Sequence, residues 1–247
     1  GTGLAVFNNA PTFVAPVLGA ATATSLTTTG NVNVSTGSAY TYNGTNVIRA
    51  QTALNNYFFG GAGNLIMTGN SNTATGFIAL TSNSTCYSNT AYGLDVLRDN
   101  TSGFQNTASG YQALVFNSTG SNNTASGVFS LQVNSTGTQN TASGVLALQQ
   151  NTTGSNNTAF GYSSGDNLTA GNNNTIIGGN GIDFASSTAS NQLNIGNIIY
   201  GTTIDGTGTT VSTGNIGIGT TAPTQKLDVA GNINVSSGSA YMYNGAN

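Results

Sequence analysis

A 17-residue repeat fills the middle of this 247-residue chain and limits its fold more than any other feature. Copies begin at Asn72, Asn89, Asn106, Asn123, Asn140 and Asn157 and share the consensus N-T-A-x-G-x-x-A-L-x-x-N-x-T-G-x-x, numbered here as positions 1 to 17. A further start at Asn174 (NTIIGGN) is expected to break off. A degenerate copy precedes the array, with Asn56, Phe58, Gly60, Thr68 and Gly69 near the consensus Asn, Ala, Gly, Thr and Gly. Self-similarity at a fixed period marks a stacked-repeat architecture, whose end copies must differ because one of their faces has no neighbour.

Seventeen extended residues would span roughly 56 Å, whereas paired strands lie about 4.8 Å apart, so each copy must fold back as one coil. The natural corners are Gly76, Gly93, Gly110, Gly127, Gly144 and Gly161 at position 5, and the N-x-T-G segment at positions 12 to 15. Asn and Gly tolerate the left-handed backbone of sharp corners. Short strands are predicted over N-T-A-x-G and x-x-A-L-x. Helix is disfavoured, because Gly, Asn, Ser and Thr dominate and no 3.6-residue apolar period survives. The position-1 asparagines have two readings, a buried side-chain ladder that holds only if the coils are in register, or plain turn formers.

The predicted core is thin: the column Ala74, Ala91, Ala108, Ala125, Ala142 and Ala159, the column Leu80, Leu97, Leu114, Leu131 and Leu148, and a variable apolar pair such as Phe77 and Ile78. At about 25 cal/mol per Å² of buried apolar surface, such a coil gains little beyond its ordering entropy. Association of several chains would supply the remaining burial. The expected fold is all-β: a β-roll or β-solenoid, or a β-prism fibre, built on the 17-residue repeat as an intertwined homotrimer.

Composition removes most functional classes. Charged residues make up 4% of the chain, and there is no His, Glu or Trp. Three basic residues give no electrostatic footprint for nucleic acid. No stretch approaches the roughly 20 apolar residues of a membrane span, and the N terminus lacks the basic start of a signal peptide. The lone Cys86 replaces the position-15 Gly and has no His to activate it, so it reads as a small tolerated residue on a turn.

The candidate sites are few. GGNGID (Gly178 to Asp183) matches one calcium-binding nonapeptide, but such repeats bind calcium between consecutive copies, so a Gly-rich exit turn accounts for it and for Asp183. Asp166 reads as a turn residue. Asp95 and Asp99 are the nearest approach to a carboxylate pair for glycan hydrolysis, yet Arg98 sits beside Asp99, and a charged outer surface on one variable coil explains all three. No catalytic, cofactor or metal residue is assigned, and the chain is not expected to be an enzyme. The Thr73, Thr90, Thr107, Thr124, Thr141 and Thr158 column raises ice binding as a minor alternative, weakened by the irregular column two residues on. The sequons at Asn117, Asn134 and Asn151 arise by chance in an Asn/Thr-rich repeat.

The flanks repeat on a longer scale. GNVNVSTGSAYTYNGTN (Gly30 to Asn46) returns as GNINVSSGSAYMYNGAN (Gly231 to Asn247), with 13 of 17 positions identical. Alternations such as Asn-Val-Asn-Val and Ile-Gly-Ile-Gly are strand patterns. The expected organisation is an N-terminal β stalk or linker at 1–50, the array at 51–180 and a C-terminal β stalk at 181–247. The chain lacks an initiator Met and stops within a motif, so it is expected to be a segment of a longer polypeptide.

GTGLAVFNNAPTFVAPVLGAATATSL resembles a linker found in many phage tail fibres. The NTASGYQAL-type repeats, LNIGNIIYGTTIDGTGTTVSTGNIGIGT and APTQKLDVAGNINV are similar to the shafts of phage tail fibres and trimeric adhesins that end in an endosialidase-type intramolecular chaperone, itself absent here. The resemblance implies a non-catalytic, homotrimeric shaft on a virion or bacterial surface, outside the cell. Its partners would be copies of itself and a host glycan or receptor, met through a tip this segment lacks. The alternative is a bacterial extracellular filament or surface adhesin, its coils stacked end to end. No receptor-binding residue is assigned; Tyr92, Phe104 and Tyr111 are the aromatics that could meet a glycan if they lie outside the core.

Overall fold

The computed structural model of the chain describes residues 39–42, 45–64, 66–206 and 211–234. The G-T-G linker motif and most of both copies of the flanking 17-residue motif lie outside the described residues. The described residues are all-β, apart from a short 3₁₀ turn at Thr52–Leu54.

Strands β1 (Ala39–Tyr42) and β2 (Thr45–Gln51) form an antiparallel hairpin, and β2 pairs antiparallel with β3 (Asn56–Phe59). From β3 every partner is parallel: β4 (Thr73–Thr75), β5 (Thr90–Tyr92), β6 (Thr107–Ser109), β7 (Thr124–Ser126), β8 (Thr141–Ser143), β9 (Thr158–Phe160), β10 (Thr175–Ile177) and β11 (Leu193–Ile195). Each strand is one side of one coil, so residues 56–191 make a β-solenoid of eight coils. The register is Ala on Ala from Ala74 to Ala159, with a shorter coil at the start, where Phe58 pairs Ala74, and a longer one at the end, where Ile176 pairs Asn194. The copy at Asn174 therefore does not break off but completes a coil. Then β12 (Ile199–Gly201) pairs antiparallel with β11, β13 (Ile216–Ile218) antiparallel with β12, and β14 (Leu227–Val229) parallel with β13.

The coils close within one chain, unlike the intertwined β-prism. The position-5 corner needs glycine for two reasons. At Gly144 φ is +147°, a region essentially confined to glycine, and a Cβ there would overlap the carbonyl of Gly161 on the next coil. Close approach at this column lets coils stack at strand spacing.

The second expected strand, x-x-A-L-x, is absent. In its place the backbone turns left-handed at positions 7 and 9, as at Phe129 (φ 58°) and Leu131 (φ 49°). The reversal aims successive amides at opposite neighbours: Asp95 N–H bonds to Phe77 O on the preceding coil, and Leu97 N–H to Ala113 O on the following one. Left-handed backbone costs an L-residue about 1–2 kcal/mol; these inter-coil bonds and the burial of leucine offset it. The expected N-x-T-G corner contains no left-handed residue. That conformation falls instead at position 17, as at Gln105 and Asn122.

The core consists of the position-3 Ala column, the position-9 Leu column and the small residues of position 8 (Ala79, Val96, Ala113, Ser130, Ala147 and Ser164), all buried. The Phe77–Ile78 pair is not core: Phe77 is 60% exposed and Ile78 half-buried. Position 6 follows the position-5 corner on the outer side of the coil, and positions 8 and 9 are the ones buried in every consensus coil that keeps a side chain there.

Candidate functional site

Two columns of buried amides run along the solenoid. In the first, the Oδ1 of each position-1 Asn accepts the backbone N–H of its counterpart one coil on: Asn89 N–H to Asn72 at 3.0 Å, Asn123 N–H to Asn106 at 2.9 Å, Asn157 N–H to Asn140 at 3.0 Å. Each Nδ2 donates to the position-15 carbonyl of its own coil, as Asn123 does to Gly137 at 2.9 Å. The column starts at Asn56, whose Oδ1 takes Asn72 N–H, and ends with Gln192 N–H on Asn174 Oδ1. Of the two readings of these asparagines, the ladder is the one the molecule adopts.

The second column, at position 12, was hidden in the sequence inside the presumed corner. Asn117 Nδ2 donates to Asn100 Oδ1 (2.7 Å), Asn134 Nδ2 to Asn117 Oδ1 (2.8 Å) and Asn151 Nδ2 to Asn134 Oδ1 (3.0 Å). The bonded column runs from Asn100 to Asn151, and two buried amide atoms at its ends have no partner, Asn83 Nδ2 and Asn151 Oδ1. Position 12 of each flanking coil is a buried apolar residue, Met67 before and Leu168 after, and Leu168 offers Asn151 Oδ1 no donor. The spacing of 11 residues from the first Asn was the signal that could have found this ladder.

Cys86 is fully buried. Burial pushes its thiol up to about 11, against which three backbone hydrogen bonds act weakly. Such a thiol carries almost no thiolate near neutral pH and is a poor nucleophile. The position is tight: at Gly120, its equivalent, a Cβ would collide with Asn117 Oδ1 and Gly137 O. In the other coils the position-12 Asn donates to the position-15 carbonyl, as Asn100 does to Gly103 at 2.9 Å, whereas Asn83 Nδ2 has no partner.

The acidic residues are engaged structurally. Arg98 grips Asp99 with two parallel bonds of 2.9 Å, which lower the Asp99 carboxyl and raise the guanidinium. The same Arg98 lies 3.9 Å from Asp95 Oδ1 and 5.5 Å from the centre of the Phe116 ring, and Asp95 Oδ2 accepts from Gln112 at 3.1 Å. The arrangement ties adjacent coils together, while Asp95 Oδ1 is buried without a hydrogen bond of its own. Asp183 and Asp166 lie together on successive coils; burial first, and then the Asp166 carboxyl, raise Asp183, whose Oδ1 accepts Asn167 N–H at 3.3 Å. Among the described residues no three His, Cys, Asp or Glu side chains come together, and no helix is long and apolar enough to cross a membrane.

A shallow groove of about 340 Å³ lies beside Asn173, Asn191, Ile204, Asp205 and Gly206. Its one charged group, Asp205, is committed to the loop: its carboxylate takes the N–H and hydroxyl of Thr213 at 2.8 and 2.7 Å and is lowered by them. On the strand face the Thr column points outward, as the ice-binding alternative requires, but Tyr92 and Phe160 interrupt the adjoining column, with Tyr92 64% exposed. Tyr111 is also exposed, while Phe104 stacks on Tyr87 with ring centres 4.9 Å apart. No protein-family model, curated protein or solved structure matches the chain.

Proposed function

We propose that the chain is a structural, non-catalytic shaft segment of a phage tail fibre or similar surface adhesin, assembled as a homotrimer outside the cell, that holds a receptor-binding tip away from the particle. The observation that carries this reading is the amide column running unbroken from Asn56 to Gln192, with a second column beside it. Every coil is bonded to the next through side chains as well as backbone, so opening one coil exposes buried amides on two. That is a source of kinetic resistance to unfolding. The near absence of ionisable groups supports the same role, since such a rod changes little with pH or salt. End-to-end filament growth has less support, because strands of the same chain already pair with both ends of the parallel ladder.

Two measurements test the reading. Digestion with a broad-specificity protease should leave a resistant fragment spanning the eight coils; cutting inside the coils as fast as at the flanks would end the case for a load-bearing rod. Native mass should fall near three times 24.7 kDa, and a lone 24.7 kDa species would overturn the trimer.

A further inference from the structure

Position 6 is apolar in all six consensus coils: Phe77, Leu94, Tyr111, Val128, Val145 and Tyr162. None of these six side chains is in the core. All are exposed except Val128, which is half-buried. Across the Gly corner, position 4 adds Phe59, Tyr92, Phe160 and Ile177, also exposed. The outward columns at positions 2 and 13 are by contrast hydroxyl-bearing in every consensus coil. An apolar residue retained in each copy at a site its own chain leaves open is not explained by the fold of one chain, and contiguous apolar surface of this kind marks an interaction site.

We infer that the corner flanked by positions 4 and 6 is the face through which copies of this chain associate, side by side, parallel and in register. The inference rests on the homotrimer reading and names its interface. Three observations select a second copy as the occupant. The ladder repeats once per coil, and another copy is the partner whose own repeat matches that rise over the whole length. No charged side chain occupies positions 4, 5 or 6 in any coil from 72 to 173, so identical faces can approach without repulsion. The area also suffices: large apolar side chains of about 150–250 Å² each, close to half exposed, give roughly 800 Å² per chain, the half-share of a standard stable interface.

The test uses the full chain in two variants. The first, Val128→Ser with Val145→Ser and Tyr162→Ser, removes apolar surface from three adjacent coils without touching the core. The expected result is a fall from three times 24.7 kDa to the monomer mass, with the thermal unfolding midpoint of the monomer unchanged when dilute chains are compared. The second, Phe77→Cys, places a thiol at one end of the ladder. Parallel, in-register packing predicts a disulfide-linked dimer under mild oxidation, whereas antiparallel packing predicts none unless Phe77→Cys is mixed with Tyr162→Cys. Cys86 does not confuse the assay, being buried. If the wild type is trimeric but the serine variant stays trimeric and Phe77→Cys fails to cross-link, this face is wrong and the trimer stands. If the wild type is monomeric and position 6 becomes protected only on adding a neutral polysaccharide, the face binds glycan and the inference falls together with the trimer.

Discussion

The interior coils, residues 72–156, and the end coils, 56–71 and 157–191, fill similar cross-sections by opposite means. Inside, the position-3 residue is a small Ala facing a Leu at position 9. At the N-terminal end the sizes are exchanged: Phe58 sits at position 3, and its ring lies where a Cβ on Gly63 would have to go. Towards the other end Gly165 replaces Leu at position 9, and a Cβ there would lie 2.8 Å from Phe184 and 3.2 Å from Ile176. The amides follow the same division, with Asn at position 12 from Asn83 to Asn151 but Met67 and Leu168 beyond them. An amide is worth burying only where the next coil supplies its partner, whereas an apolar side chain needs none. Repetition is therefore strict where neighbours exist on both sides, and bulk replaces it at the ends.

The sharpest way to break that comparison is to make the same glycine change in both regions. Gly144→Ala forces a Cβ into the Gly161 carbonyl at φ +147°, and Gly181→Ala meets nothing within 4 Å at φ +70°. The first should cost at least about 3 kcal/mol and the second about 1 kcal/mol, read from urea denaturation midpoints. Equal losses would mean that close coil approach is not what holds the interior together.

Next in size is the amide ladder. Asn117→Ala interrupts it, leaving Asn100 Oδ1 without a donor and one Asn134 Nδ2 hydrogen without an acceptor, for an expected loss of about 2–3 kcal/mol. Asn151→Ala only moves the existing end by one coil, because Asn134 Oδ1 becomes the orphan that Asn151 Oδ1 already is. Its expected cost is about 1 kcal/mol. Hydrogen exchange should show the interior change loosening coils on both sides and the end change loosening one.

These contrasts also separate what was legible in the sequence from what was not. The period, the position-5 corners and the Ala and Leu columns could be read directly, since each is a repeated residue type with one physical use. The left-handed backbone at Leu80 and its equivalents could not, because leucine disfavours that conformation and only inter-coil hydrogen bonds justify it. For the same reason the outward placement of Phe77 and Ile78 was missed: an apolar pair beside A-L looks like core until the backbone reversal separates them. The closing coil from Asn174 escaped notice because Ile176, Ile182 and Phe184 do the work of Ala and Leu with no shared residue type. Asn83 and its column were visible but were assigned to a turn, which they also make.

The smallest expected effect sharpens the comparison at the C-terminal end, where the interior gives way to bulk. Burial and the adjoining Asp166 carboxyl raise Asp183, so the folded chain binds that proton more tightly than the unfolded chain does. Its contribution to stability is complete below the ordinary carboxylate value of 3.8 and is lost as pH rises through the raised folded value. Above that folded value the charged form of Asp183, desolvated and close to Asp166, destabilises the C-terminal coils. Asp99 has the opposite sign: its stabilisation by Arg98 holds above 3.8 and disappears as pH falls through its depressed value. On mild acidification, above the range where Asp99 titrates, the wild-type thermal midpoint should therefore rise slightly. Asp183→Asn keeps the bond from Asn167 N–H without the charge, so it should raise the midpoint at neutral pH and flatten this dependence. A wild type already flat across that window would show that the proximity of Asp166 does not weigh on Asp183 in the folded chain.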